Sequence, residues 1–201
     1  LERRCFGSRS QAHGQADEAM TRKPANDREL NAALMDLALA YRMTGERRYA
    51  DRAKALLDVY AARPNWVTDK PLLARTPVWN SDLGMGTSAY VYGLTFDAIH
   101  DALTPAERDR LAKALVKGAI KPILGDWVDG AERIHSLDTM GHNWFSHIVF
   151  GAGVAAIAVK TEEPQADAWI RRIDEAAEEW AAYDGGAIET KPQHFASNGA
   201  F

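Results

Sequence analysis

Regular patterning along the chain begins at Asn26. It stands three residues before Glu29 and ahead of apolar positions at Leu30, Ala33, Leu34, Leu37, Ala38 and Tyr41. Steps of three and four put these positions on one helical face, and the Asn/Glu spacing is a capping-box-like start. Gly45 closes this first helix. A second follows Glu46, with Tyr49, Ala53, Leu56, Leu57 and Tyr60 on one side and Arg63-Pro64-Asn65 as its stop, because proline offers no N–H to the helix ladder. So short a link predicts an antiparallel αα-hairpin. Residues 1–25 show neither an amphipathic period nor the apolar core of a signal peptide, and are expected to form a flexible segment.

Residues 64–81 hold three of the eight prolines together with Trp66 and Trp79 and no sustained period, which reads as a long ordered loop. A third helix is predicted from about Asp82 to Ala102 with Tyr90, Leu94, Ala98 and Ile99 inward. Thr104-Pro105-Ala106-Glu107 then supplies an N-cap, a proline at the first helical position and a capping-box glutamate. The fourth helix runs to about Lys121, and Pro122 to Met140 is mixed, with room for one short helix. A fifth helix is expected from near His142 to Val159 and a sixth from Pro164 to Tyr183, after which Asp184-Gly185-Gly186 breaks the chain.

The pattern is all-α: three consecutive antiparallel helical hairpins without a strand signal. Such hairpins can close into an (α/α) toroid or stack as a solenoid. The first hairpin has the alanine, leucine and tyrosine spacing of a tetratricopeptide-like repeat, but the later ones differ in length and show no 34-residue self-similarity. The toroid is the better reading. It would be incomplete over residues 26–201, and further chain beyond Phe201 is expected, because three hairpins leave apolar faces uncovered.

With 46% hydrophobic residues the chain can build a substantial core. Its net charge of −4, from 24 basic against 28 acidic residues, lacks the basic stripe that nucleic acid demands. The longest apolar run, Ile148 to Val159, is short of the roughly 20 residues of a membrane span. No membrane partner is expected. A lone Cys5 permits no internal disulfide.

Two clusters could do chemistry. Met140-Gly141-His142-Asn143-Trp144 packs polar and aromatic groups at one helix start, followed by a glycine- and alanine-rich tail. Asn143 or His142 could simply cap the helix. Alternatively, Asn143 could hold a uronate carboxylate and stabilise the enolate-like charge that develops when the neighbouring proton leaves. An imidazole, His142 or His194, could take that proton near neutral pH. The second cluster joins Asp184-Gly185-Gly186, Glu189, Gln193-His194-Phe195 and Asn198-Gly199 about one hairpin later. It is either a polar interhelical loop or the other half of the site, with Glu189 orienting the histidine or bonding a sugar hydroxyl. Trp79, Asn80 and Trp144 could line a sugar cleft, with Glu189 and Gln193 as further sugar ligands, since aromatic faces stack on pyranose rings and amides bond hydroxyls. His142 and His147 are five apart, which does not place both on one helix face, so no metal site and no cofactor are expected. Arg75 and Lys191 could attract an acidic sugar, or simply be solvated.

Three stretches resemble the helical domains of heparinase II/III-like polysaccharide lyases and the related chondroitin and alginate lyases: Ser81 to Arg110, the Gly141-His142-Asn143-Trp144 helix start with its small-residue tail, and Asp184-Gly185-Gly186 to Phe201. With the hairpin order, the likeness spans residues 27–201. It implies a secreted or periplasmic lyase that cleaves an acidic, uronate-containing polysaccharide by β-elimination. Asn143 would neutralise the carboxylate and His194 would fall at the position of the catalytic histidine or tyrosine. Many such lyases use a tyrosine as proton donor and acceptor, and here none follows Tyr183. Competing readings are an (α/α)-barrel glycoside hydrolase using two carboxylates among Asp82, Asp184 and Glu189, and a non-catalytic helical-repeat binding domain. The hairpin between the two clusters, with two helices of similar length, further predicts that His142 or Asn143 and His194 share one end of the helical array.

Overall fold

The Asn26 cap forms as expected: its side chain accepts from the Glu29 N–H at 3.0 Å, while Glu29 reaches back to the Ala25 N–H at 3.0 Å. The structure, a computed structural model, describes residues 9–68, 78–129 and 144–188, with side chains for 14–68, 78–129 and 144–182. Among the described residues it contains helices and no strand. The helix opened by Asn26 is α2 (Asp27–Thr44), closed by Gly45 at φ 72°, a left-handed conformation that glycine adopts without strain. After two residues α3 (Arg47–Ala61) returns, burying Tyr49, Ala53, Leu56, Leu57 and Tyr60.

A helix precedes this hairpin where the sequence suggests a flexible segment. In α1 (Arg9–Thr21) only Ala16 and Ala19 are buried among the described side chains, too little apolar surface to produce a visible period. Polar contacts fix it instead: Tyr49 donates to Asp17 at 3.1 Å, and Arg52 donates to the Ala19 and Arg22 carbonyls at 3.3 and 2.8 Å.

The fourth helix, α4 (Leu83–Ala98), ends in a 3-10 turn at His100–Ala102. Its buried face is Met85, Ser88, Ala89, Tyr92, Thr95 and Phe96 with Gly86 and Gly93. Of the residues expected inward, Ile99 is buried, Leu94 and Ala98 are half-buried, and Tyr90 is 42% exposed. The helix is flanked on several sides, so apolar residues occupy most of its circumference and the period misleads.

The capping box at Thr104 is complete, and α5 (Pro105–Leu115) follows. The helical rod then continues past the expected stop, through a π-turn at Val116–Ile120, a single α-turn at Lys121–Ile123 and a second π-turn at Leu124–Val128. Pro122 does not end it. A π-turn bonds each N–H one residue further back, as in Lys121 to the Val116 carbonyl, and so relaxes the clash that a proline ring meets in a regular α-turn. The last helices are α6 (Trp144–Ala158) and α7 (Ala166–Ile188). Here too a stop signal fails, since α7 runs through Asp184-Gly185-Gly186 to Ile188.

Contacts arrange α2 to α7 in two layers, with α1 packed on α2 and α3. In the first, α2, α4 and α6 lie side by side and parallel. Asn31 of α2 reaches Ser88 of α4, and Tyr41 further along donates to Asp101 at 3.0 Å. Gly86 meets Ile148 near the start of α6, and Gly93 meets Ala155 one heptad on. The second layer holds α3, the α5 rod and α7. Lys54 and Asp58 of α3 pair in register with Glu107 and Arg110 of α5, each at 2.6 Å, and Arg172 of α7 donates to the Val128 carbonyl at 3.2 Å.

Between the layers, Tyr60, Trp66 and Tyr92 form an aromatic cluster with ring centroids 4.8 to 6.1 Å apart. Trp66 comes from the proline-rich loop and donates to the Tyr60 carbonyl. The Tyr60 hydroxyl meets Asn31 at 2.8 Å and Ser88 at 2.9 Å, tying α2, α3 and α4 through buried polar groups. Burial pushes its pKa up to about 12.

Candidate functional site

Where α4 and α6 touch, Gly86, Gly93 and Gly151 have no room for a side chain. A Cβ on Gly86 would lie 2.7 Å from the Ile148 Cα and 2.9 Å from the His147 carbonyl oxygen, one on Gly93 would lie 2.9 Å from the Ala155 Cα, and one on Gly151 would strike the Gly86 carbonyl. The two backbones are therefore in contact. Side chains flanking the glycine stripe are pushed to its edge, where they surround a pocket of about 580 Å³. Tyr90 and Thr87 form its α4 wall, and His147, Phe150 and Val154 its α6 wall.

This pocket is mainly apolar, with a phenol and an imidazole as its ionisable groups. The Thr87 hydroxyl is directed back to the Leu83 carbonyl at 3.3 Å. A phenol on one wall and an imidazole on the other can move protons to and from a molecule held between them. His147 lies in the first turn of α6, whose first residue, Trp144, follows His142 and Asn143 directly in the chain.

A second and larger cleft, of about 810 Å³, runs along the α5 rod between Val78, Asn80 and the Glu163 turn. Asn80 stands at one end. Its backbone N–H donates to Asp126 Oδ2 at 2.8 Å and its Nδ2 to Oδ1 at 3.2 Å. The Ser81 hydroxyl adds a third bond to that carboxylate at 2.7 Å while accepting from the Trp127 indole at 3.0 Å. Asp126 is only 2% exposed, so this network fixes the chain entering α4 against the second π-turn.

Of the residues expected to act on or bind a sugar in the lyase reading, the described regions contain Trp79, Asn80 and Trp144. Asn80 lines the α5 cleft. Trp79 is half-buried, and Trp144, also half-buried, packs against the core; neither lines the two clefts above. His142, Asn143, Glu189, Gln193 and His194 lie outside the described residues, and so does the expected sharing of one end by Asn143 and His194.

The carboxylates considered for hydrolysis fare differently. Asp82 is a buried cap: Oδ1 accepts from the Met85 N–H at 2.7 Å and Oδ2 from the Thr68 N–H and hydroxyl at 2.6 and 2.8 Å. A carboxylate so enclosed serves the start of α4, not a sugar. Asp184 lies within α7 rather than in a loop. Tyr90, expected only as an inward-facing core residue, and the lysines of the α5 cleft carry no site role in the sequence pattern. Tyr90 could have been found from Gly86 and Gly93, because positions four after the first and three before the second adjoin the same stripe.

Among the described residues no group of three or more His, Cys, Asp or Glu side chains is placed to hold a metal ion, and no helix is long and apolar enough to cross a membrane. Compared with known proteins, the chain matches no family model and no curated protein.

Proposed function

We propose that this chain forms an arc of an (α/α) toroid in a lyase that cleaves uronate-containing polysaccharides by β-elimination. The observation that carries the reading is that Tyr90 and His147 line one pocket from opposite walls, His147 on a helix whose first residue, Trp144, follows His142 and Asn143 in the chain. Tyr90 supplies the tyrosine that the family resemblance asks for and that the residues after Tyr183 lack. The two-layer order, with helices parallel within each layer, is the order a toroid needs. The face of the first layer turned away from α3 carries exposed Met35, Leu39 and Tyr90, as a surface lining a lumen would.

In this reading Asn143 donates hydrogen bonds to the uronate carboxylate. An imidazole, His147 with His142 or His194 in support, removes the proton next to that carboxylate. The electron pair of the broken C–H bond forms the new C=C double bond as the glycosidic C–O bond breaks, and the departing oxygen takes a proton from the Tyr90 hydroxyl. Losing a positioned proton donor typically costs about 10²–10⁴ in rate.

The test follows ultraviolet absorbance of the conjugated product with several polyuronates, beside a reducing-end assay. Tyr90→Phe should lower kcat about 10²-fold or more with little change in KM. New reducing ends without absorbance would indicate hydrolysis. Neither signal with any polyuronate would refute the lyase and leave a binding domain.

A further inference from the structure

The cleft along the α5 rod has a composition that the rest of the surface does not prepare for. The chain carries a net charge of −4, yet Lys113, Lys117 and Lys121 all line this one groove and all are exposed. Their spacing of four spreads three ammonium groups over roughly 12 Å of helix. Lys113 is paired with Asp109 at 2.8 Å. Lys117 and Lys121 engage no carboxylate among the described residues.

Two carboxylates border the groove. Asp126 is buried, with its oxygens taken by Asn80 and Ser81, and Glu163 stands with Lys113 at the other end. Asn80 is exposed, and its side-chain oxygen makes no hydrogen bond among the described residues, so it can accept from a hydroxyl. The groove wall also contains both π-turns. Such turns are rare within α-helices and are frequently found at functional sites.

We propose that this groove is a second, non-catalytic site that holds an acidic polysaccharide, with successive anionic groups met by Lys113, Lys117 and Lys121 and a hydroxyl by Asn80. A row of separated cations along an elongated cleft suits a polymer with repeating charges; a small anion would require them to converge on one point. The identity of the polymer as a polysaccharide rests on the lyase reading above, whereas the groove and its charge do not.

Binding of the whole chain to polygalacturonate, dextran sulfate and neutral dextran, followed by tryptophan fluorescence and affinity electrophoresis, tests this. Polygalacturonate and dextran sulfate separate carboxylate from sulfate recognition. The double variant Lys117→Glu/Lys121→Glu should weaken binding of the preferred anionic polymer about tenfold, and Lys117→Gln/Lys121→Gln less, with melting curves like the wild type. Neutral dextran should not bind. Affinity unchanged within about twofold in both variants, or equal affinity for dextran, overturns the proposal. Elimination activity that persists with no effect of the lysine variants would remove the groove and leave the lyase. Lysine-dependent binding without elimination would do the reverse.

Discussion

Replacing Gly86 by alanine adds one methyl group where α4 and α6 are in backbone contact. The new Cβ would sit 2.7 Å from the Ile148 Cα and 2.9 Å from the His147 carbonyl oxygen. Comfortable carbon contacts need about 3.5–4.0 Å, so the helices must separate by roughly 1 Å over an interface that buries Ile148, Ala152 and Ala155. Neither obstructing atom belongs to a side chain that can rotate away. Overpacking of this kind costs about 3 kcal/mol at the upper end of its usual range, and removing a helical glycine returns up to about 1 kcal/mol. The net loss of about 2 kcal/mol corresponds to a fall in Tm of about 4–8 °C for a domain of this size. Gly14 in α1 is the control, because its Cβ would meet nothing within 4 Å. There the same substitution should raise Tm by about 2–4 °C. Thermal and urea melts of the two variants therefore predict opposite signs for identical chemistry. A Gly86→Ala protein as stable as the wild type would refute the close approach of α4 and α6, and with it the pocket that Tyr90 and His147 line together.

Glu107 carries a pH dependence of known sign. The Lys54 ammonium at 2.6 Å, followed by the Thr104 N–H and hydroxyl, pulls its pKa down to about 2, below the usual value near 4.3 of an unfolded glutamate. A depressed folded pKa means that the stabilisation is complete above about pH 4.3 and is lost as pH falls toward 2. The stability gap between wild type and Lys54→Met, measured by urea midpoints, should narrow over that window; a constant gap would show that the pair contributes nothing. Asp126→Ala should strand the Asn80 N–H, the Asn80 amide and the Ser81 hydroxyl, costing about 2 kcal/mol, or about 4–8 °C in Tm. Glu163→Ala, at the opposite end of the same groove, should stay within about 0.5 kcal/mol of wild type, and equal losses would contradict the buried network.

The legible parts of this fold were those where local chemistry decides the outcome. Asn26 and Gly45 bound α2 because a side-chain oxygen and a left-handed glycine satisfy terminal backbone groups without help from the rest of the molecule. Thr104-Pro105-Ala106-Glu107 did the same for α5. The face of α3 was readable because one side of that helix meets the core and the other meets water. In α4 the two sides do not differ so sharply, and Tyr90 was assigned inward by a period that the helix does not have. The stops at Pro122 and at Asp184-Gly185-Gly186 failed for a related reason. Breakers state what a residue costs in an isolated helix, and packing in a two-layer array can outweigh that cost. Asn80, expected in a sugar cleft with Trp79 and Trp144, lines the α5 cleft without them, and no sequence pattern points to the buried Asp126 that anchors it. For His147 the sequence raises only the role of a metal ligand, because Tyr90, on the other wall of the pocket, lies 57 positions away.

That long-range meeting follows from the layer order. In consecutive antiparallel hairpins, every second helix runs in the same direction, so the starts of α4 and α6 fall at the same end of the array. Residues near both starts can then converge, provided that the helices approach closely enough for short side chains to share one space. Gly86, Gly93 and Gly151 meet that condition with backbone contact. Larger residues at these positions would push the axes apart toward the usual 8–10 Å or more, and the phenol and imidazole would face separate stretches of solvent. The glycines are thus the link between a helical array that many sequences can build and a pocket in which proton transfer is possible. For the same reason a Gly93→Ala protein, with its Cβ 2.9 Å from Ala155 Cα, should lose the proposed elimination activity through geometry while Tyr90 and His147 both remain. Turnover as fast as wild type in that variant would show that the pairing of the two side chains does not depend on the close approach.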